Sequence, residues 1–242
     1  MLSTTVERFE RAWPPTGLVA PTEVLVEGVT ERVVEGGSPT NGMRMIVSMR
    51  DLGAGAHAGR WATGLAKLLG VTSPALARLI GARIVDERYF VLRVRRPPGM
   101  TVHQRMARGP LDGTAALAVA RTALRACEDL NAAGLSAAGL RLGSAMIDEP
   151  PEGPSVQLTT YGLFLDHTID PVHELRELAL RTLALVGATS HGLGSRIDVP
   201  KGALPPVVSE LLCEAAGLVP DHPIDSAHEL TLALRAATHA VH

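Results

Sequence analysis

The chain has 242 residues, 46% of them hydrophobic, so it is long enough to bury one sizeable core or two lobes that share an interface. Its formal net charge of -2 gives no general attraction to phosphate backbones or anionic lipid, and nucleic-acid binding is not expected. No stretch reaches the roughly 18 apolar residues of a membrane span, and Glu7 and Glu10 stand where a signal peptide would be apolar. Cys127 and Cys213 both fall in helical patterns, and we interpret them as buried thiols. We therefore expect a cytoplasmic protein, or the cytoplasmic domain of a membrane protein.

The first hundred residues predict a small sheet interrupted by one helix. Residues 18 to 50 alternate short β-branched runs, such as VLVEGV and MRMIVSM, with Gly, Pro and Asn breakers, which predicts antiparallel strands. ARLIGARIVDERYFVLRVRRP predicts two further strands that turn at Asp86-Glu87. Between them, AHAGRWATGLAKLLGV has the period of an amphipathic helix. The predicted buried face of that helix carries Trp61, Leu65, Leu68 and Leu69.

The periodicity changes from strand-like to helical at RRPPGMT, which predicts a lobe boundary there. A short helix is predicted near Val102 to Arg108, and a long one in DGTAALAVARTALRACEDLNAAGL, ended by Gly134. AMID and VQLTTY predict two short strands. HELRELALRTLALVG, LPPVVSELLCEAAGLV and DSAHELTLALRAAT predict three more helices, the last capped by Asp225 or Ser226. The apolar stripe of the long helix is predicted to carry Leu117, Ala120, Leu124, Cys127 and Leu130.

This order of elements resembles that of a protein kinase. The chain is similar to bacterial Ser/Thr protein kinases over about residues 20 to 237, and the best local matches are ERYFVLRVRRPPGMTVHQRMARGPL, ARTALRACEDLNAAGL and VQLTTYGL. The resemblance implies an α+β, bilobal, protein-kinase-like fold. Residues 1–97 would form a small, β-rich N-lobe and residues 98–242 a mainly helical C-lobe.

The positions that carry kinase chemistry hold other residue types in this chain. A kinase catalytic loop reads H-R-D-x-x-x-x-N, in which the Asp accepts the substrate proton and the Asn holds a magnesium ion. In LSAAGLRLGSAMI the same spacing places Gly139 at the base and Ser144 at the metal ligand. The D-F-G motif corresponds to Thr160-Tyr161-Gly162, so a neutral threonine replaces the metal-binding carboxylate. We expect Tyr161, Leu163 and Phe164 to pack as core residues between the lobes.

The phosphate-binding side of the resemblance is also altered. V-A-I-K corresponds to Val47-Ser48-Met49-Arg50, and the glutamate that pairs with its lysine corresponds to Gly64, so Arg50 is expected to lack that orienting ion pair. Two interpretations of Arg50 stay open: a residual phosphate contact, or a solvated arginine at a strand end. No G-x-G-x-x-G occurs between residues 20 and 45, and the backbone cradle for the phosphates is therefore missing.

The resemblance implies that the substrate platform is missing too. Between Gly162 and His173, the latter aligned to an aspartate that opens a central helix, only ten residues remain, too few for an activation segment that ends in A-P-E. The arginine that pairs with the A-P-E glutamate corresponds to His222. The chain is therefore expected to be a pseudokinase, without a cofactor or a metal. His239 and His242 form a close pair, but at a chain terminus we do not interpret them as a metal site.

The expected function is that of a protein-interaction or regulatory scaffold. Similar pseudokinase domains of actinobacteria act in cell-wall synthesis, including one attached to a lipid-linked precursor flippase. That resemblance implies an active Ser/Thr kinase and a forkhead-associated domain, which binds phosphothreonine, as partners. Thr22, Thr40 and Thr238 are the candidate acceptors from their loop or terminal setting. The alternatives are a metal-independent nucleotide sensor and a diverged enzyme of unknown reaction.

Overall fold

A small lobe is built on one antiparallel sheet. The computed structural model describes residues 21–27, 31–38, 40–53, 58–137, 140–161, 170–190, 197–219 and 223–239. Within these, five strands have the order β1-β2-β3-β5-β4. The strands are β1 (Pro21–Glu27), β2 (Glu31–Gly37), β3 (Arg44–Asp51), β4 (Leu79–Val85) and β5 (Tyr89–Arg95). A helix, α1 (Ala58–Gly70), lies between β3 and β4 in the chain.

In β2, β3 and β5 side chains alternate between the two faces of this sheet, as the two-residue period of a strand requires. On the inner face Val33, Ile46 and Leu92 belong to the main hydrophobic core. On the opposite side, the outer face, a separate apolar cluster is formed by Val34, Met45, Val47, Met49, Tyr89 and Val91. The sheet therefore has two apolar faces, of which only the inner one packs onto the main core.

The hairpin between β4 and β5 turns at the predicted residues. Asp86 and Glu87 both have positive φ angles, of 51° and 50°, which is the conformation of a type I′ turn between two strands. The amide of Arg88 donates to the carbonyl of Val85 at 3.1 Å and closes the turn. The prediction of a strand pair turning at this dipeptide is confirmed.

Helix α1 packs one face against the sheet, and one predicted contact is wrong. Trp61, Gly64 and Leu68 are buried at the i, i+3, i+7 spacing of a helix face. Leu69 was expected on that face, but its side chain is 57% exposed. The physical reason is the helix period, because Leu69 lies about 100° around the axis from Leu68. The buried face of α1 is therefore narrower than the face predicted from its apolar residues.

The large lobe contains the predicted helices in the predicted order. Its helices in the described residues are α2 (Val102–Met106), α3 (Gly113–Ala132), α4 (Pro171–Leu185), α5 (Pro206–Ala215) and α6 (Ala227–His239). Short strands β6 (Met100–Thr101), β7 (Met146–Asp148) and β8 (Ser155–Gln157) form a second sheet. A pair that the sequence did not predict, β9 (Thr189–Ser190) with β10 (Ile197–Asp198), follows α4.

The helix boundaries follow from capping side chains. Asp112 accepts from the amide of Ala115 at 2.8 Å and begins α3, while Gly134, with a φ of 68°, follows its end as predicted. The predicted stripe of α3 is buried throughout. At α6 the cap is Ser226, whose hydroxyl accepts from the amide of Glu229 at 3.0 Å. No helix in the described part of the chain combines the length and apolarity needed for a bilayer crossing.

Hydrogen bonds join the two lobes directly, in addition to the linker. Leu158, just after β8, exchanges backbone hydrogen bonds with Ala75 and Ala77 of the small lobe, at 2.9 and 2.8 Å. The Tyr161 hydroxyl donates to the Ala77 carbonyl at 2.8 Å, and its ring is buried, as predicted. Leu163 and Phe164 lie outside the described residues. One hydrophobic core therefore runs through both lobes.

Candidate functional site

Helix α4 holds the start of the loop that follows α3, at Ser136 and Ala137. The Ser136 hydroxyl donates to Oε1 of Glu174, and the amide of Ala137 donates to its Oε2 at 3.0 Å. Glu174 lies in the first turn of α4, where a carboxylate also complements the helix dipole. The sequence alignment placed His173 at the acidic position that opens this helix. The structure places the anchoring carboxylate one residue later, at Glu174.

The two positions aligned to metal ligands meet in the cleft, but as hydroxyls. The Ser144 and Thr160 oxygens are 2.5 Å apart, and each residue is 1% exposed. Ser144 donates to the carbonyl of Arg141 at 3.0 Å, so the proton between the two hydroxyls belongs to Thr160. A hard cation prefers carboxylate oxygens, and this pair has no negative charge. No group of three or more His, Cys, Asp or Glu that could hold a metal occurs among the described residues.

Arg50 is buried and has an ion pair. This corrects the expectation that it lacks an ion pair and the interpretation of it as a solvated arginine. Its residue exposure is 8%, so it is not a solvated arginine at a strand end. Its Nη2 donates to Oε1 of Glu31 at 3.0 Å, so it has an ion pair after all, to β2 instead of helix α1. The pairing follows from the sheet, because Glu31 and Arg50 are register partners of β2 and β3. Gly64 does lie on the buried face of α1, where it offers no carboxylate.

Glu31 also reaches across the cleft. Its Oε2 accepts from Nε of Arg141 at 3.2 Å, although the two residues are 110 apart in the chain. Burial lowers the pKa of Arg50, the Glu31 carboxylate raises it and the Arg141 guanidinium lowers it further. We call Arg50, Glu31 and Arg141 the arginine clamp. It places one carboxylate between two cations.

A second buried carboxylate fixes the linker between the lobes. Glu35, on the same inner face of β2, pairs with Arg44 and accepts from Nε of Arg96 at 2.6 Å. Arg96 also donates to the carbonyls of Pro97 and Gly99, at 2.8 and 2.9 Å. Pro97 and the adjacent Pro98 have no amide proton. The linker therefore presents few free hydrogen-bonding groups to a ligand in the cleft.

A cavity of about 570 Å³ remains between the inner face of the sheet, the loop and α4. Its walls are formed by apolar side chains and by the charged ends of Glu31, Arg141 and Arg181. Arg181 is not free, because it donates to the Leu140 carbonyl and to Glu177, each at 3.2 Å. The cavity is large enough for a small molecule. Glu31 and Arg141 pair with each other, and Arg181 pairs with Glu177.

Several predicted positions cannot be placed. Gly139, aligned to the catalytic base, lies outside the described residues, as do His222 and residues 162–169 of the shortened activation segment. Glu31, Glu35 and Arg96 were not among the predicted site residues. A signal for the first two existed in the sequence, because Glu31, Val33 and Glu35 alternate with the period of a strand and so share one face. A carboxylate on each side of an inward valine indicates buried charges that need partners.

Comparison with known proteins identifies the fold. No family model matches the chain, and no curated protein matches its sequence. Among solved structures, Rad53 1-466 in complex with AMP-PNP is similar at a TM-score of 0.65 and 15% identity, over 87% of this chain and 62% of that chain. The Mycobacterium tuberculosis PknI kinase domain is similar at a TM-score of 0.61 and 14% identity, over 92% of this chain and 99% of that chain. The chain has the bilobal, α+β fold of a protein kinase.

Proposed function

We propose that this chain is a catalytically inactive kinase-fold domain, a pseudokinase, that acts as a protein-interaction or regulatory scaffold. The observation that carries the proposal is the direct contact of the Ser144 and Thr160 hydroxyls at 2.5 Å. In a kinase these two positions hold magnesium between them. Here they are neutral, buried and bonded to each other, which supports a site that has exchanged metal binding for packing.

The magnitudes support inactivity as well. A general base typically contributes about 10²- to 10⁴-fold to a reaction rate, and losing a single preorganised electrostatic contact costs about 10²- to 10³-fold. Gly139 cannot accept a proton. The arginine clamp holds a carboxylate 3.0 Å from Arg50, the residue aligned to the lysine that pairs the α- and β-phosphates in a kinase. Each of these features opposes phosphoryl transfer, and together they leave the chain without a route to it.

A metal-independent nucleotide sensor is the alternative, and the cavity of about 570 Å³ is the observation in its favour. Against it stand Pro97 and Pro98, which offer no amide proton, and Arg96, which occupies the carbonyls of Pro97 and Gly99. Anionic phosphates in the cleft would also meet the Glu31 carboxylate. We therefore favour the scaffold over the sensor.

The partner is proposed from the resemblance to actinobacterial cell-wall pseudokinases. An active Ser/Thr kinase would phosphorylate a threonine, and a forkhead-associated domain would bind it. Of the candidates, Thr40 is exposed next to a turn, with its hydroxyl 2.9 Å from that of Ser38. The Thr22 hydroxyl donates to the Glu35 carbonyl at 3.1 Å, and Thr238 falls within α6. Thr40 is therefore the best-placed acceptor of the three.

Two assays test the proposal. The first is a thermal-shift titration with ATP and with ADP, each with and without Mg²⁺. A nucleotide at about a hundred times its Kd stabilises a protein by about 2.7 kcal/mol, and for a chain of this size that corresponds to about 5–10 °C in Tm. We expect no shift at millimolar nucleotide. A shift without Mg²⁺ would establish the sensor in place of the scaffold.

The second assay measures phosphoryl transfer from labelled ATP to the chain itself and to a generic protein substrate. We expect no incorporation above a sample without the chain. Incorporation that Arg50→Ala abolishes would refute the pseudokinase proposal.

To test the partner, the chain is phosphorylated by an active bacterial Ser/Thr kinase, and binding to a forkhead-associated domain is measured before and after phosphatase treatment. Thr40→Ala is expected to remove that binding, and Thr22→Ala to retain it.

A further inference from the structure

A second cavity lies against the linker and shares no lining residue with the cleft cavity. Its volume is about 660 Å³. The end of α1, the segment that leads into β4, the end of β5 and the linker all contribute to its walls. We call it the linker groove, and the residues that matter to its chemistry are Leu69, Leu76, Arg78, Leu79, Arg95 and Pro98.

The floor of the linker groove is apolar, and its backbone groups already have partners. The Ala77 amide donates to the carbonyl of Leu158, and the Ala77 carbonyl accepts from the Tyr161 hydroxyl, each at 2.8 Å. Pro97 and Pro98 have no amide proton. A ligand is therefore recognised here through its side chains and not by the addition of a strand.

An exposed leucine extends this apolar surface towards the solvent. Leu69 lines the linker groove, and its side chain is 57% exposed. Val71 and Leu79, which are half-buried, also line the groove. A cavity whose apolar wall continues into an exposed side chain offers a contact for an apolar group of a ligand.

Two arginines lie side by side on the small-lobe wall of the groove. The Arg95 amide donates to the Arg78 carbonyl at 2.8 Å, which continues the register in which Leu79 pairs with Val94. Residues opposite each other on antiparallel strands direct their side chains to the same face, with Cβ atoms about 4.5–5.5 Å apart. Like charges in this arrangement repel each other. The free chain is therefore destabilised at this point, and an anion would relieve the repulsion.

The described residues supply no such anion. Arg78 and Arg95 are both exposed, and neither side chain has a hydrogen bond or an ion pair within the described part of the chain. The described lining residues of the groove include no Asp or Glu. A third arginine, Arg96, is already paired with Glu35 at 2.6 Å. The positive charge available to a ligand is therefore that of Arg78 and Arg95.

A neighbouring cavity sets the direction of the ligand. This cavity, of about 240 Å³, shares Pro97, Pro98 and Gln157 with the linker groove and also includes Asp148. A carboxylate of the ligand is attracted by the two arginines and repelled by Asp148. The acidic part of the ligand is therefore expected at the small-lobe end of the groove.

The combination of groups favours one class of ligand. A nucleic-acid backbone or an anionic lipid surface is bound by extended runs of cations, and the formal net charge of this chain is -2. The linker groove instead has two available arginines next to Leu69 and Leu79. A short protein segment provides carboxylates and an apolar side chain at a matching separation.

We propose that the linker groove binds an acidic segment of a partner protein, with carboxylates at Arg78 and Arg95 and an apolar side chain on Leu69 and Leu79. The inference rests on the scaffold function proposed above, for which it names a surface and the chemistry of a partner. It requires neither a phosphothreonine nor a nucleotide, so binding is expected in the unphosphorylated chain.

Fluorescence anisotropy with the full-length, unphosphorylated chain tests the proposal. The probe is a short labelled peptide in which Leu alternates with Asp and Glu. A second peptide, with Asn and Gln in place of the acidic residues, shows whether the carboxylates are required. The groove variants are Leu69→Ser and the double variant Arg78→Gln, Arg95→Gln.

Each groove variant has a matched control. Arg108→Gln changes the net charge at an exposed arginine outside the groove. Leu232→Ser replaces a leucine of α6 that is 51% exposed. Urea unfolding of every variant shows whether a change in binding comes from a change in stability.

We expect the acidic peptide to bind, and the affinity to fall with added salt. The double arginine variant should weaken binding about tenfold, because one exposed ion pair contributes up to about fivefold. Leu69→Ser should weaken binding several-fold, and the two controls should match the wild type. The double arginine variant should be at least as stable as the wild type, because the repulsion is removed.

Several results would overturn the proposal. These are no binding of the acidic peptide, equal binding of the neutral peptide, equal weakening by Arg108→Gln, or a destabilised double arginine variant, which would give the arginines a structural role. Displacement of the peptide by a single-stranded oligonucleotide at equal affinity would identify a polyanion site instead. Self-association in sedimentation that Leu69→Ser abolishes would identify a second copy of the chain as the occupant.

This test is separate from those of the proposed function. The peptide assay contains no nucleotide and no phosphorylated residue, so a negative result leaves the absence of phosphoryl transfer and the forkhead-associated partner unaffected. Incorporation of labelled phosphate would refute the pseudokinase proposal without changing the affinity of the peptide.

Discussion

Replacing Glu31 by glutamine removes the carboxylate of the arginine clamp without changing its size. Arg50 then keeps its charge at a site where its side chain is only 9% exposed. Breaking a buried ion pair by removing one partner typically costs about 3–5 kcal/mol. The amide oxygen of glutamine still accepts a hydrogen bond, so we expect the lower end of that range. The side chain of Arg141 is 41% exposed, and its pair with Glu31 adds no more than about 1 kcal/mol.

We therefore expect Glu31→Gln to lower the free energy of unfolding by about 3 kcal/mol, which corresponds to about 6–12 °C in Tm for a chain of this size. Urea unfolding and differential scanning calorimetry measure the two quantities. The control is Arg141→Met, for which a loss below about 1 kcal/mol that shrinks with added salt is expected.

A double-mutant cycle decides whether the clamp is the cause. Arg50→Met removes the buried charge, so the double variant Glu31→Gln, Arg50→Met should lose less than the sum of the two single variants. A coupling of about 1–3 kcal/mol is expected for residues in direct contact. Additive single effects, or a Glu31→Gln variant as stable as the wild type, would refute the reasoning from buried charge.

Three further predictions concern Cys127, Glu174 and Tyr161. Burial, with Glu174 and Glu128 nearby, raises the pKa of Cys127 to about 12, and the unfolded thiol titrates near 8.5. Between these two pKa values the unfolded thiol loses its proton and the folded thiol keeps it. The contribution of Cys127 to the free energy of unfolding is therefore fully present below about pH 8.5 and falls towards pH 12, by up to about 1.4 kcal/mol per pH unit. Glu174→Ala, which removes the carboxylate that accepts from the Ser136 hydroxyl and the Ala137 amide, should cost about 2–4 kcal/mol in urea unfolding. Tyr161→Phe should cost about 1–2 kcal/mol in the same assay, because the hydroxyl that reaches the other lobe is removed.

The first two of these have a control variant, and the third has an outcome that would contradict it. Cys127→Ala should show a shallower loss of stability than the wild type above pH 8.5, and parallel curves would contradict the assignment. Glu177→Ala removes an exposed i, i+4 pair on the same helix and should cost less than about 0.5 kcal/mol. Equal losses in the two glutamate variants would argue against the anchor. For Tyr161, a change confined to one lobe in hydrogen exchange would show that its hydroxyl does not join the lobes.

Much of the architecture was predictable from local pattern. The hairpin at Asp86-Glu87, the buried stripe of α3 and the two short strands around residue 150 follow from period, capping and turn residues, which act over a few neighbours. The prediction that Gly139 replaces the base and that neutral Ser144 and Thr160 replace the metal ligands depends on residue type and spacing alone. The identity to the solved structures, 14–15%, shows the fold and does not assign a role to any single residue.

Tertiary structure decided which groups meet. The sequence identified Arg50 but not its partner, because Glu31 comes next to it only through the register of β2 and β3. Arg141 joins them from 110 residues away, once the lobes close over a shared core. The resemblance aligned His173 to the acidic position, but the direction of the side chains around α4 brings Glu174 to the loop instead. Leu69 is apolar yet exposed for the same reason. Sequence pattern determines the elements because their forces are local, whereas the pairing of buried charges depends on distances that exist only after the elements have packed.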